Sequence, residues 1–192
     1  MGDKHRLDKI LSNLGYGSRS EIKKAVKNGI VAVNGVTATD GGRRVDPETD
    51  RITFDGEPVV YRKYIYLMLH KPAGVVSATE DPRDRTVVDL LAPEQAAFRP
   101  FPVGRLDKDT EGLVLLTNDG MLAHRLLSPK RHVPKTYYAE VTGRVTESDA
   151  SAFAQGVMLD DGYVTLPGAL RVVRAADDRS EVEVTITEGK YH

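Results

Sequence analysis

Gly112-Leu113-Val114-Leu115-Leu116-Thr117-Asn118-Asp119-Gly120 is a dense apolar run closed by a polar turn, and Gly104-Arg105-Leu106-Asp107-Lys108-Asp109-Thr110-Glu111 leads straight into it. The run has the length and glycine punctuation of a buried strand. The segment before it crowds charges of both signs between two glycines. A carboxylate held at the mouth of such a strand, with Arg105 two residues from Asp107, can stay ionised while partly desolvated. A nucleophilic aspartate requires that state. A solvated turn with local ion pairs fits the same residues. Spacing alone does not separate Asp107 from its rivals Asp109 and Glu111.

Outward from this run, strands dominate and helices interrupt them irregularly. Residues 64–69 read as a strand broken by His70-Lys71-Pro72-Ala73-Gly74, residues 81–85 as a charged loop, 86–91 as a short helix and 93–102 as irregular chain. Asp119 is placed to cap a helix carrying Leu122, Leu126 and Leu127. Residues 135–141 alternate as a strand, which sends Tyr137 and Tyr138 to opposite faces. Residues 148–155 read as a helix, and 157–159, 169–173 and 181–187 as strands. No regular strand–helix–strand alternation appears, so the expected class is α+β, with a mixed, largely antiparallel sheet.

The N-terminal residues have a different grammar. Leu7, Ile10, Leu11 and Leu14 recur at helical spacing, and Gly15 with Gly17 ends that helix. Ser18 or Ser20 can cap a second helix whose inner stripe is Ile22, Ala25 and Val26. Arg19, Lys23, Lys24 and Lys27 lie on or beside its outer face. Asn34-Gly35 and Asp55-Gly56 are hairpin turns between short β-branched runs. The polar Tyr61-Arg62-Lys63 then sets an expected boundary, giving modules 1–60 and 61–192.

Composition narrows the function. Of 192 residues none is cysteine, which removes thiol chemistry and disulfides and fits a reducing cytoplasm. The formal net charge of −1 excludes a uniformly basic coat, yet residues 1–30 hold seven Lys or Arg against three acids. A basic head on a mildly acidic body suggests a localised polyanion contact. No apolar run approaches membrane-spanning length, and the five histidines (5, 70, 124, 132 and 192) show no metal-ligand spacing. The expectation is a cytoplasmic monomer with no metal or organic cofactor and no membrane partner.

Two sets of motifs resemble known families. Arg6-Leu7-Asp8-Lys9-Ile10-Leu11, Ser18-Arg19-Ser20-Glu21-Ile22 and Gly29-Ile30-Val31-Ala32-Val33-Asn34-Gly35 resemble the S4 (alpha-L) RNA-binding domain. That resemblance implies RNA contacts from Arg6, Lys9, Ser18, Arg19, Lys23, Lys24 and Lys27, sensitive to salt and nearly blind to sequence. His70-Lys71-Pro72-Ala73-Gly74, Gly104-Arg105-Leu106-Asp107, residues 112–120 and Lys135-Thr136-Tyr137 look like the motifs of ribosomal pseudouridine synthases. These enzymes break a uridine's glycosidic bond, turn the uracil and rejoin it through carbon 5.

The resemblance puts the catalytic aspartate at Asp107, with attack on the sugar, attack on the base and removal of a sugar proton all open to it. It puts Tyr137 against the flipped base and has Arg105 and Lys135 contact the RNA. His124-Arg125-Leu126-Leu127-Ser128-Pro129 and Glu188-Gly189-Lys190-Tyr191-His192 are closer to the small-subunit (16S) enzymes than to the large-subunit (23S) ones. In that group the last segment runs on and supplies a cation that pairs with the aspartate. With its stop at His192, the chain is expected to lack the end of the synthase module and to have an incomplete site. The alternatives are a non-catalytic rRNA-binding or ribosome-assembly protein and a 23S synthase.

Overall fold

The computed structural model describes residues 4–189. The chain packs as two units, Met1–Ala123 and His124–His192, a different division from the sequence boundary at residue 60. The first unit holds two separate apolar cores.

The first core gathers Leu7, Ile10 and Leu11 of helix α1 (Leu7–Asn13) with Ile22 and Val26 of helix α2 (Arg19–Lys27). Ser18 rather than Ser20 starts α2. The Glu21 N–H donates to Ser18 Oγ (3.3 Å), and Glu21 Oε2 accepts the Ser18 N–H in return (2.7 Å). This reciprocal pair satisfies two donors that a helix start leaves open. Strands β1 (His5–Arg6), β2 (Val31–Val33), β3 (Val36–Thr37), β4 (Arg44–Val45), β5 (Ile52–Phe54) and β6 (Glu57–Pro58) complete this half. The four-stranded sheet runs β3-β2-β5-β6, and β1 pairs with β4. Asn34-Gly35 and Asp55-Gly56 all have positive φ, the geometry of the expected two-residue hairpin turns.

Asp8 of α1 is fully buried. Arg6 donates to it through Nε (3.1 Å) and Nη2 (2.8 Å), and Arg19 Nη2 donates to Oδ1 (3.0 Å). The Arg6 bonds are the largest influence holding the Asp8 carboxyl below its ordinary value, ahead of Arg19 and against the opposing effect of burial. A depressed folded-state value means that the unfolded chain binds more protons. The stabilisation is therefore complete above the unfolded value of 3.8 and is lost as pH falls through the lower, folded value. Asp8→Asn is expected to destabilise the N-terminal module by about 2 kcal/mol at pH 7. In urea unfolding, the gap between wild type and variant should shrink below pH 3.8. A gap that stays constant into acid would deny the ion pairs this role.

The second core forms on the three-stranded antiparallel sheet β7 (Tyr66–Lys71), β9 (Gly112–Thr117) and β8 (Phe101–Val103), in the order β7-β9-β8. Val114 and Leu116 are buried with Val75 and Val87, and Leu67, Leu69 and Leu106 pack on them. Residues 112–117 thus form the central strand, as the opening run implies. Other expectations shift. β7 runs on through His70 and Lys71 instead of stopping at Leu69. The stretch read as irregular contains helix α3 (Pro93–Ala96) and β8. Pro102 hides β8 from a sequence reading, because proline lacks the ladder donor, yet an edge strand tolerates it. The expected helix at 86–91 is only a 3₁₀ turn, Val88–Leu90. Helix α4 (Gly120–Leu127) begins as expected, with the Leu122 N–H donating to Asp119 Oδ1 (3.0 Å). Asn118 ties down the chain entering β7: its Oδ1 accepts the Ile65 N–H (3.0 Å), and its Nδ2 donates to the Lys63 carbonyl (3.2 Å).

The second unit is built on another antiparallel sheet, β10 (Lys135–Thr142), β12 (Arg179–Ile186) and β11 (Ala169–Ala175), in the order β10-β12-β11. Helix α5 (Glu147–Gln155) precedes β11. Residues 157–159 form no strand. They make a single bridge, Met158 to Val164.

Candidate active site

The loop 104–111 joins the edge strand β8 to the central strand β9. It enters at Gly104 (φ +96°) and leaves at Gly112 (φ +131°), conformations that side chains resist. Between them Leu106 packs into the second core, while its neighbours Arg105 and Asp107 are exposed.

The backbone on both sides of Asp107 is anchored by side chains and amides from the segment 71–77. The buried Ser77 hydroxyl donates to the Leu106 carbonyl (2.8 Å) and accepts the Leu106 N–H (3.0 Å). The Gly74 N–H donates to the Lys108 carbonyl (2.8 Å). Lys71 is fully buried, and its Nζ donates to the carbonyls of Pro72 (3.1 Å), Lys108 (3.0 Å) and Thr110 (2.8 Å). All three ammonium protons are thereby used. Within the loop the Thr110 N–H donates to the Asp107 carbonyl (3.1 Å), and the Lys108 ammonium pairs with Asp84 (2.7 Å).

Burial is the main influence on Lys71 and pushes its ammonium below its ordinary value. Asp109, then Asp107, then Glu111 oppose that shift. Lys71 therefore acts as a buried cation bracing an acidic loop. The partial desolvation expected of Asp107 is not found: the carboxylate is exposed, because Leu106 rather than Asp107 turns into the core.

The loop, Arg105 and Asp107 belong to the first unit; Tyr137 and Lys135 belong to the second. On β10, burial alternates residue by residue, leaving Tyr137 half-buried opposite Val184 and Tyr138 exposed on the other face. Lys135 is half-buried, and its Nζ donates to the Val133 carbonyl (3.4 Å). Of the segment 188–192, Glu188 accepts bonds from the Tyr163 hydroxyl (2.8 Å) and the Leu166 N–H (2.5 Å). Lys190, Tyr191 and His192 lie outside the described residues.

The N-terminal candidates divide into two groups. Arg6 and Arg19 hold Asp8, and Ser18 caps α2, so all three carry structural tasks. Lys9, Lys23, Lys24 and Lys27 are exposed. No described helix is long and apolar enough to cross a membrane.

Sequence reading missed Asp8, Lys71 and Ser77. For Lys71 a signal existed, because Leu67, Leu69 and Lys71 share the inward face of a strand with period two. Ser77 carries no such mark.

Comparison with known proteins covers both modules. The S4 domain profile matches residues 5–52, and the RNA pseudouridylate synthase profile matches residues 65–192. An uncharacterized RNA pseudouridine synthase of Bacillus subtilis (strain 168) is 55% identical over 187 residues, covering 97% of this chain and 78% of that protein. The ribosomal small subunit pseudouridine synthase A of Yersinia pestis is 38% identical, covering 97% and 78%. The ribosomal large subunit pseudouridine synthase B of Bacillus subtilis (strain 168) is 36% identical, covering 96% and 75%. A crystal structure of a pseudouridylate synthase superposes with a TM-score of 0.61 at 35% identity, covering 97% of this chain and 79% of the other. The anchored aspartate loop thus sits in a protein that aligns with these enzymes along nearly its whole length, and the chain belongs to the RNA pseudouridylate synthase family, with an S4 domain ahead of the isomerase module.

Proposed function

We propose that this protein isomerises one specific uridine of 16S ribosomal RNA, with Asp107 as the catalytic group and Tyr137 stacked on the everted base. In this reaction the bond between N1 and C1′ breaks and a bond between C5 and C1′ forms. The C5 proton leaves and N1 gains one, so the change is redox-neutral and calls for no cofactor. The observation that carries this reading is the solvent-exposed Asp107 on a backbone anchored at residues 106, 108 and 110. A reactive group held on a braced loop and left open to a polymeric substrate is preorganised for attack or proton removal.

Eversion of the uridine costs a few kcal/mol of stacking. Stacking on Tyr137 and phosphate contacts from Arg105 and Lys135 offset it, and Tyr137, as its phenolate, helps remove the C5 proton. In the proposed module 1–60, Lys9, Lys23, Lys24 and Lys27 hold phosphates and orient the RNA. Module 61–192 carries the chemistry.

The choice of 16S rests on the motifs at 124–129 and 188–192. A 23S target is the second reading, because the relative named for the large subunit is nearly as similar as the one named for the small subunit. Incubation with unmodified 16S and 23S transcripts, followed by carbodiimide treatment and primer extension, is expected to give one new stop in 16S. A stop confined to 23S would transfer the substrate. Tight rRNA binding with no stop in either would favour an assembly protein.

A further inference from the structure

We propose that a cleft within the first unit, between α1 and the segments 61–64 and 97–99, binds a single-stranded stretch of the RNA substrate. It is a further RNA contact beside those at α2 and the aspartate loop, and it shares Lys9 with the N-terminal set. The proposal rests on RNA being the substrate and adds where a further part of it lies.

The cleft has a volume of about 400 Å³, within the range of sites that enclose a small-molecule-sized group. Its wall brings together Lys9 of α1, Arg62, Lys63 and Arg99, with Tyr64 and Phe98 between them, and no Asp or Glu lines it. In a chain with 28 acids and 27 Lys or Arg, this is a local concentration of one sign. No ion pair among the described residues uses Lys9, Arg62 or Arg99. Among the described residues these cations therefore have no neutralising ion pair, unlike Arg6 and Arg19. Arg99 also holds a left-handed backbone (φ +51°), where glycine or asparagine is the ordinary choice. The chain keeps a cation there despite that preference.

Cations interleaved with aromatic rings fit single-stranded nucleic acid: phosphates meet the ammonium and guanidinium groups, while bases stack on the rings. The Lys63 ammonium already lies 5.3 Å from the Tyr64 ring centre, so charge and stacking surface are presented together. A smaller cleft of about 210 Å³ shares Leu14, Arg62 and Phe98 with the first. The two share a wall at these residues, and an extended surface of this kind suits a polynucleotide better than a free nucleotide. An acidic protein segment would use the charges but leave the rings without stacking partners.

The test uses the double variant Arg62→Ala/Arg99→Ala of the full chain, with Arg62→Lys/Arg99→Lys as the charge-retaining control and Tyr64→Leu as a separate stacking probe. The changed arginines are exposed, and folding is checked by thermal unfolding. With naked 16S transcript, the alanine variant is expected to raise KM and the dissociation constant about tenfold with kcat unchanged. It should also flatten the salt slope by ~0.7 for each single-strand phosphate that is no longer neutralised. The lysine control should recover the slope, and Tyr64→Leu should weaken binding without changing it. Binding and salt slope within twofold of wild type would overturn the proposal, as would a loss confined to protein-containing ribosomal particles, which would make the cleft a protein-docking surface. Binding to transcript is read without catalysis, so a chain that isomerises no uridine still tests the cleft.

Discussion

Asp107→Asn is expected to reduce kcat on the target uridine by at least about 10³-fold while shifting the thermal midpoint by less than about 3 °C. The reasoning joins two observations. The side chain is exposed, and Asn has nearly the same shape, so the folded chain loses little. The loop's shape is set by groups on other residues, Ser77 at Leu106 and Lys71 with Gly74 at Lys108, so the variant keeps its backbone and loses only the charge. Asp109→Asn and Glu111→Gln, changed one at a time, are the matched controls, because all three acids act on Lys71. Each should retain kcat within about fivefold. Carbodiimide primer extension over a time course checks all three. If Asp107→Asn isomerised at the wild-type rate, the assignment would fall. If Asp109→Asn alone were inactive, the catalytic role would move two residues along the same loop.

Lys71→Met should damage both stability and rate, which sets it apart from the first variant. Methionine fills much of the same volume but donates nothing. The carbonyls of Pro72 and Thr110 lose the ammonium, whereas that of Lys108 keeps the Gly74 N–H. An orphaned buried acceptor costs about 1–3 kcal/mol. Part of this is recovered, because the buried ammonium no longer pays its own desolvation. The expected net loss is about 3 kcal/mol, or a thermal midpoint lower by about 10 °C for a chain of this size. Measured well below that midpoint, kcat should still be about 10²-fold lower, because a displacement near 1 Å at the reacting group has effects of that order. Lys71→Arg is not expected to rescue it, since a planar guanidinium cannot reach three carbonyls arrayed around one buried point. An unchanged kcat in a destabilised Lys71→Met would reduce the residue to a core element.

Much of the fold could be read locally. The helices starting at Leu7 and Arg19 follow from apolar spacing and the Ser18–Glu21 box. The hairpins at Asn34-Gly35 and Asp55-Gly56 follow from residues that accept positive φ, and β9 follows from an apolar run bounded by glycine. Where such signals conflict, reading fails. Pro102 in an edge strand mimics irregular chain, and a lysine before Pro72 mimics the end of a strand. The candidate site was legible in part: Asp107 stood out through its motif, and Tyr137 through its motif and strand alternation.

The sequence by itself determined the two N-terminal helices, the hairpin turns at Asn34-Gly35 and Asp55-Gly56 and the central strand β9, because capping, turn chemistry and hydrophobic period act between residues a few positions apart. Only the tertiary structure decided which charges are buried. Lys71 can lose its water because carbonyls 37 and 39 positions further along the chain converge on its ammonium, and Asp8 can do so because Arg19 arrives from the next helix. A charged side chain is stable inside a protein only where distant partners replace its hydration, and those partners come together only when the chain folds.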